Sequence, residues 1–468
     1  MGNAQLNIAA SFFTEFIQPD FIAMPVLSVL SHGLKVEKPL IAIHRGLGLL
    51  MTTFRIIAGV LSLAAFCNYL NHRFVKLPAS VGQMAFALII SVLLLLLEAS
   101  GIVDLRPANN FIYEIDFSNA LLHGMLSFFL FAGALLIDLE DLKSVIWPVT
   151  FLATVGVVIA IFVTGTLVWY AAGFAGFHLP YIYALLFGAL ISPTDPIAVL
   201  SFLKEARIAK SLSVKIGSES LLNDGVGVVA FITILGIATG TDQPTFGSVS
   251  LLLFRQAIGG GLLGLALGWI VYHMLRPIDE YRVEVFLTLA LAAGGYVLAE
   301  LLGVSAPICM VAAGLLIGNR GRNFGMSERT RRRLDEFWEL SDEILNAVLF
   351  MLIGFEVVVI SFTGMHVLLG LAAIAAMLIG RLVSVGSVIG TMKFWRPFEK
   401  GAIRLLTWGG LRGGLSIAMA LSLPHGPEKN VILPITYIVV LFSILVQGLT
   451  FKPALRFIIK QKHPARLT

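Results

Sequence analysis

Residues 192–196 read Ser-Pro-Thr-Asp-Pro, and they lie inside an apolar run that extends from 180 to 203. A proline removes one backbone N–H and disfavours helical geometry at the residue before it, so two prolines around one aspartate should break a helix. The run itself is long enough to cross a bilayer, which takes about 20 apolar residues in a helix. The stretch therefore predicts a membrane-spanning helix that unwinds within the membrane and exposes Asp195 and the backbone carbonyl of Thr194.

The whole chain has the composition of a membrane protein. Of its 468 residues, 57% are hydrophobic and only 13% are charged, whereas a soluble domain carries about 25% charged residues. The apolar runs have the length of helices, since barrel strands need only about 10 residues. We predict an all-α polytopic membrane protein with about 13 transmembrane helices. The predicted spans lie near 50–70, 79–97, 117–137, 145–172, 180–203, 212–239, 248–275, 284–301, 304–319, 337–360, 364–392, 402–423 and 430–452.

Lysine and arginine are concentrated in alternate loops between these spans. They are absent from the intervening loops at 173–179, 240–247 and 361–366. The positive-inside rule places basic loops in the cytoplasm. It predicts a cytoplasmic C-terminus for this multi-pass protein, which we expect in a bacterial inner membrane. The net charge of +5 is thereby explained, so it does not indicate nucleic-acid binding.

The span after the broken one carries a second polar motif, Glu-Ser-Leu-Leu-Asn-Asp at 219–224. Ser220 and Asp224 are four residues apart and therefore share one face of a helix. With the carbonyl of Thr194, they would surround a cation with oxygen atoms, the ligands that hard cations prefer. No cysteine or histidine joins them, which argues against zinc or copper.

Two arginines also interrupt apolar spans. Arg381 lies within 364–392, and Arg412 belongs to Trp-Gly-Gly-Leu-Arg-Gly at 408–413, where the glycines weaken the helix and allow a second break. An ionised group in a bilayer is costly unless it is paired or hydrated. We expect the two cations to balance the buried anions Asp195, Glu219 and Asp224. One interpretation is that these charged groups merely hold helices together. The two interrupted helices beside them favour the other interpretation, an ion pathway.

Other features carry less information. Asp342 is expected near a span end, where a charged side chain can reach the interface. Small-xxx-small spacing at Gly259, Gly260, Gly264 and Gly268 predicts close helix packing. The sequence contains no Gly-x4-Gly-Lys-Ser/Thr loop, which disfavours a pump driven by ATP.

The motifs at 192–196, 219–224 and 408–413 resemble those of the NhaP-type sodium/proton antiporters. These proteins belong to the monovalent cation:proton antiporters, which also include the animal sodium/proton exchangers. The resemblance extends over roughly 50–455, almost the whole chain. It implies two inverted six-helix repeats whose unwound helices cross, and homodimers that form through the helices outside the ion-binding core.

The resemblance implies that the two repeats lie near 50–240 and 284–453 and that the helix at 248–275 links them. The transmembrane domain would occupy 49–456. It would follow an N-terminal segment of unknown role at 1–48 and precede a short cytoplasmic tail at 457–468.

The resemblance also implies roles for individual residues. Sodium would be bound by Asp224, Ser220 and Thr194. Asn223 takes the position of their polar partner, and Glu219, which the resemblance places among the ion ligands, also forms an ion pair with Arg381. Asp195 belongs to the same ion- and proton-binding group because it lies at the helix break. Arg412 is expected to be a structural charge partner.

We therefore expect a secondary active transporter, not an enzyme, which exchanges Na⁺ or Li⁺ for H⁺ by alternating access. Its transported ions and the surrounding lipid are its only expected partners besides a second copy, and it needs no cofactor. Because Asn223 cannot titrate, the exchange is expected to be electroneutral. A K⁺/H⁺ antiporter of the same fold is the first alternative. An intramembrane hydrolase, suggested only by Gly-x-Ser at 303–305 and 414–416, and a channel are the others.

Overall fold

The computed structural model describes residues 57–101, 120–195, 199–200, 203, 210–240, 246–321, 327–357, 360, 362–394, 398 and 401–460. The predicted segment 1–48 and most of 457–468 lie outside these ranges. The described residues form helices and contain no strand, which confirms the all-α prediction. Seven helices among them are long and apolar enough to cross a membrane, and shorter apolar helices accompany them. The total of about 13 spans stays a prediction.

The described helices are numbered in chain order. α1 covers 57–70, α2 Ala79–Ala99, α3 the π-turn Ala120–Met125 with Leu126–Leu135, α4 Leu139–Phe174, α5 Tyr181–Leu190, α6 Lys210–Ala238 and α7 Phe246–Leu275. α8 covers Tyr281–Leu301, α9 Ala306–Gly321, α10 Glu328–Glu356, α11 Gly364–Met392, α12 Ala402–Trp408 and α13 Gly414–Leu421. α14 comprises Pro427–Leu441, the π-turn Phe442–Gln447 and Gly448–Lys460. The packing described below is that of the compact unit Ala64–Thr468.

Two helices begin earlier than the predicted spans at 145–172 and 337–360. α4 starts at Leu139, where the carboxylate of Asp138 accepts a hydrogen bond from the backbone N–H of Glu140. α10 starts at Glu328, where the hydroxyl of Ser327 accepts from the N–H of Thr330. Side chains of this kind satisfy N–H groups in the first turn and fix helix starts in polar sequence. Hydropathy alone does not reveal these polar first turns.

The predicted close packing of glycines is confirmed between α7 and α9. Gly260 lies against Ser305 and Gly264 against the backbone carbonyl of Cys309, so closely that a Cβ at either glycine would overlap backbone atoms. Small residues let two helix backbones approach in this way within a membrane.

The predicted unwound helices are also present, and they cross. α5 ends at Leu190 and the chain continues without helical structure through 191–195, while 409–413 separate α12 from α13. The backbone N–H of Asp195 donates to the carbonyl of Leu411 at 2.8 Å and so joins the two breaks. The breaks lie among helices that pack on one another: α5 on α4 and α6, α11 on α4 and α14, and α13 on α5 and α14.

Candidate functional site at the two helix breaks

The first break turns a backbone donor toward α6. In an unbroken α-helix the N–H of Thr194 would bond to the carbonyl four residues earlier. Pro193 interrupts that pattern because it has no N–H and restricts its neighbours. The N–H of Thr194 instead donates to the side-chain oxygen Oδ1 of Asn223 on α6, at 3.1 Å. The sequence of the break thus directs the chain toward the polar motif of the next helix.

Asn223 connects the break to two other polar side chains. Its Nδ2 atom donates to the hydroxyl oxygen of Thr194 at 2.9 Å and to Oε1 of Glu219 at 3.0 Å. The hydroxyls of Thr194 and Ser220 lie 2.9 Å apart. All four residues are buried. Since both ends of the Asn223 amide have partners, its orientation is determined by the network.

Glu219 has a second, stronger partner. Arg381 on α11 donates from Nη1 to Oε1 and from Nη2 to Oε2, both at 2.8 Å. Its Nε atom donates to the carbonyl of Leu406 on α12 at 3.3 Å. The pair is almost inaccessible to solvent, with side-chain exposures of 5% for Arg381 and 1% for Glu219. Both charges are compensated inside the protein, as burial requires.

Asp224 is in a different situation. Its side chain is only half-buried. Asp195, Glu219 and Arg412 lie within electrostatic range of it. Within the described part of the chain, no lysine or arginine forms an ion pair with Asp224. Asp224 is therefore a partly accessible carboxylate one helical turn from Ser220 on α6.

Arg412 binds the first break from the second one. Its Nη1 atom donates to the carbonyls of Ser192 at 2.6 Å and Pro193 at 3.0 Å. These carbonyls belong to the unwound residues 191–195, so the guanidinium satisfies acceptors that a continuous helix would have used itself. The side chain is 2% exposed, and its Nη1 atom faces backbone carbonyl dipoles.

Two glycines allow this close crossing. A Cβ at Gly410 would lie 2.8 Å from Nε of Arg381, and a Cβ at Gly413 would lie 2.9 Å from Cβ of Asp195. Real Cβ contacts are longer than this, so a side chain at Gly410 would displace Arg381 and one at Gly413 would push the two breaks apart. The glycines of the 408–413 motif thus permit the helix break and also the approach of Arg381 and Asp195 to it.

The structure brings all the predicted site residues into one region. Thr194, Asp195, Glu219, Ser220, Asn223, Asp224, Arg381 and Arg412 all lie at or beside the crossing. Thr194 contacts its neighbours through its backbone N–H and its hydroxyl, whereas the sequence suggested that its backbone carbonyl would bind the cation. The arrangement places a titratable carboxylate beside neutral oxygen ligands, which suits exchange of a proton for a hard cation.

Sequence reasoning missed three contributions. Arg412 was expected only to balance charge, not to bond to carbonyls. Asp342, expected near a span end, lies within electrostatic range of Asp195. Ser443 and Gln447, both fully buried on α14, bond to the second break. The signal for these two was a pair of polar residues four apart in the apolar span 430–452.

Comparison with known proteins supports this assignment of the fold. The family model described as "Sodium/hydrogen exchanger, transmembrane" matches residues 60–457. The chain is 50% identical over 406 residues to the Na(+)/H(+) antiporter NhaP of Pseudomonas aeruginosa, a match that covers 86% of this chain and 96% of the relative. It is 39% identical over 330 residues to the low-affinity Na(+)/H(+) antiporter NhaS1 of a Synechocystis species, covering 69% of this chain and 61% of the relative.

A solved structure shares the fold. The sodium proton antiporter MjNhaP1 from Methanocaldococcus jannaschii aligns with a TM-score of 0.69, covering 88% of this chain and 99% of that chain. The sequence identity in that alignment is 20%, so the similarity concerns the course of the helices.

Proposed function

Because the chain belongs to the sodium/hydrogen exchanger family, we propose that it is a secondary active transporter that exchanges Na⁺ for H⁺ across a membrane. The observation that carries the site assignment is the contrast between the two acidic residues on α6, Glu219 and Asp224. Glu219 is held by Arg381 and Asn223, whereas Asp224 has no ion-pair partner among the described residues and stays partly accessible. Asp224 is the carboxylate that can take up and release cargo.

In this proposal sodium is bound by the carboxylate of Asp224 and by the hydroxyl oxygens of Thr194 and Ser220. Asn223 donates to the hydroxyl of Thr194, which occupies one lone pair and leaves another for the ion. A hydroxyl carries one proton and two lone pairs, so the contact between Thr194 and Ser220 can rearrange without breaking the network. Oxygen ligands of this kind suit a hard cation.

Exchange follows from competition at one group. Asp224 binds sodium as a carboxylate or a proton as a carboxylic acid, but not both. The loaded protein then moves the site between the two sides of the membrane, and the unwound segments supply a site at the crossing of the two breaks. The proton gradient drives sodium transport without a nucleotide.

We further propose the finer features that the sequence indicates. The C-terminus lies in the cytoplasm, because lysine and arginine are concentrated in alternate loops. The protein lies in a bacterial inner membrane, a location supported by its similarity to a bacterial NhaP antiporter. The protein functions as a homodimer in a lipid membrane. The two inverted repeats lie near 50–240 and 284–453, since the two breaks occupy corresponding places within them.

The choice of sodium over potassium is supported by the relatives, whose names specify Na(+)/H(+) exchange. Everted vesicles from a bacterial strain without its own antiporters provide the test. Dequenching of an acridine dye on addition of NaCl, LiCl or KCl reports exchange of each cation for protons. We expect responses to Na⁺ in the wild type and none in Asp224→Asn. A response to K⁺ alone, or an undiminished response in the variant, would contradict the proposal.

A further inference from the structure

The second break poses a physical problem that the first does not. Pro193 and Pro196 force the first break, because neither can donate a backbone hydrogen bond. The second break, Gly-Gly-Leu-Arg-Gly at 409–413, contains no proline. Glycine weakens a helix by about 1 kcal/mol but does not forbid it. Something else must keep these residues unwound.

One of the missing backbone hydrogen bonds has both of its groups bonded to side chains. In an uninterrupted α-helix the N–H of Arg412 would donate to the carbonyl of Trp408, four residues earlier. In the structure neither group bonds to the other. The N–H of Arg412 donates to the hydroxyl of Ser443 at 2.7 Å, and the carbonyl of Trp408 accepts from Nε2 of Gln447 at 3.3 Å.

Ser443 and Gln447 are themselves connected. The hydroxyl of Ser443 donates to Oε1 of Gln447 at 2.7 Å. A continuous series of hydrogen bonds therefore runs from the N–H of Arg412 through Ser443 and Gln447 to the carbonyl of Trp408. The two side chains thus satisfy the donor and the acceptor of one of the backbone bonds that a continuous helix would form here. Both lie in the π-turn of α14 and are fully buried, and π-turns are frequent at functional sites.

We propose that Ser443 and Gln447 are positioning residues that hold the second break open and thereby set the geometry of the ion site. Their effect passes through Arg412, whose guanidinium donates to the carbonyls of Ser192 and Pro193 just before Thr194. If the second break rewinds, Arg412 moves and the first break loses these contacts. The proposal rests on the proposed function, because it concerns the site at Thr194 and Asp224.

The first break has a comparable arrangement. There the N–H of Thr194 donates to Asn223 on α6, the helix that follows that break. At the second break the N–H of Arg412 donates to Ser443 on α14, which follows it in the same way. In each case a side chain of the following helix accepts the freed N–H. The correspondence assigns Ser443 the place at the second break that Asn223 has at the first.

The test uses the full-length protein in proteoliposomes and compares Ser443→Ala and Gln447→Leu with the wild type. Loss of one neutral hydrogen bond corresponds to about a fivefold change in an equilibrium constant. We expect the apparent KM for sodium to rise about fivefold in each variant, with a smaller change in kcat. Ser443→Thr keeps the hydroxyl and should recover much of the wild-type KM.

Thr436→Val is the matched control. Thr436 is a fully buried hydroxyl on the same helix, but it donates to the carbonyl of Ile432 one turn earlier and not to the break. We expect its KM to equal that of the wild type. If Ser443→Ala folds and its KM stays unchanged, or if Thr436→Val raises KM equally, the inference is wrong. If the wild type itself exchanges no cation, the proposed function fails instead.

A second measurement keeps the inference testable if the alanine variant transports poorly. If sodium binds only the folded protein, the melting temperature of the protein rises once the sodium concentration exceeds the dissociation constant. Ser443→Ala should need about five times more sodium for the same rise, as expected for one neutral hydrogen bond. An identical sodium dependence in wild type and variant would show that Ser443 does not position the site.

Discussion

The guanidinium of Arg381 and the carboxylate of Glu219 form a two-pronged ion pair between α11 and α6, with both N–O distances at 2.8 Å. Parallel bonds of this kind fix the relative orientation of the two side chains as well as their distance. The pair lies next to the ion site, because Asn223 donates to the same Glu219 and to Thr194. It therefore holds the network that surrounds Asp224.

The first prediction concerns this pair. Glu219→Gln or Arg381→Met leaves one buried charge without compensation, which costs about 3–5 kcal/mol. Each single variant should therefore melt well below the wild type or accumulate poorly. The double variant should recover part of the loss, since no charge remains unpaired. Melting temperatures in detergent provide the measurement, and destabilisations that simply add would contradict the pairing.

The second prediction concerns Asn223→Asp. Nδ2 of Asn223 lies 3.0 Å from Oε1 of Glu219, so the variant would place two carboxylates in contact. Two such groups cannot both be ionised at that distance, and one must take up a proton. We expect lower stability at neutral pH and a partial recovery at acidic pH, where the added group is protonated. Ser220→Ala, which removes a hydroxyl without adding charge, is the control, and it should show no comparable pH dependence of stability.

The third prediction compares the effects on stability of substituting two glycines of α7, Gly261 and Gly264. A Cβ at Gly264 would overlap the carbonyl of Cys309, whereas a Cβ at Gly261 would lie 4.0 Å from its nearest contact, Ile308. Gly264→Ala should therefore destabilise the protein by about 1–3 kcal/mol through overpacking. Gly261→Ala should be neutral or stabilising by up to about 1 kcal/mol, because alanine favours helix. Equal melting temperatures for the two variants would show that α7 and α9 do not pack this closely.

The fourth prediction concerns the charge that moves in each cycle. Asn223 has no titratable group and Glu219 is paired with Arg381, so Asp224 alone exchanges its proton in our account. The site then carries the same charge when it holds sodium and when it holds a proton. We expect exchange that does not respond to an imposed membrane potential. A rate or end-point in sodium-loaded proteoliposomes that follows a potassium-diffusion potential would show that another group, such as Asp195, also titrates.

Much of this structure could be predicted from local sequence. The prolines at 193 and 196 predict the first break because their effect on a helix is covalent and local. The acidic and arginine residues inside apolar spans indicate the site because charge is costly in a membrane. These signals need no knowledge of which helices meet.

The remaining features depend on partners distant in sequence. Arg412 bonds to carbonyls 219 and 220 residues away, and backbone acceptors leave no trace in side-chain patterns. Ser443 and Gln447 are ordinary polar residues until α14 is placed beside the second break. Likewise, the early starts of α4 and α10 depend on capping side chains in polar sequence, where hydropathy has no signal.

The most direct test of the account is the number of protons released when sodium binds. Purified protein in weakly buffered detergent solution, at a pH at which the site is protonated, is mixed with NaCl while a pH dye and radioactive sodium report both ions. We predict that wild-type protein releases one proton for each sodium ion bound. Asp224→Asn should bind no sodium and release no proton. Glu140→Gln, at the exposed start of α4, should behave like the wild type. Sodium binding without proton release, or sodium binding that survives in Asp224→Asn, would contradict competition at Asp224.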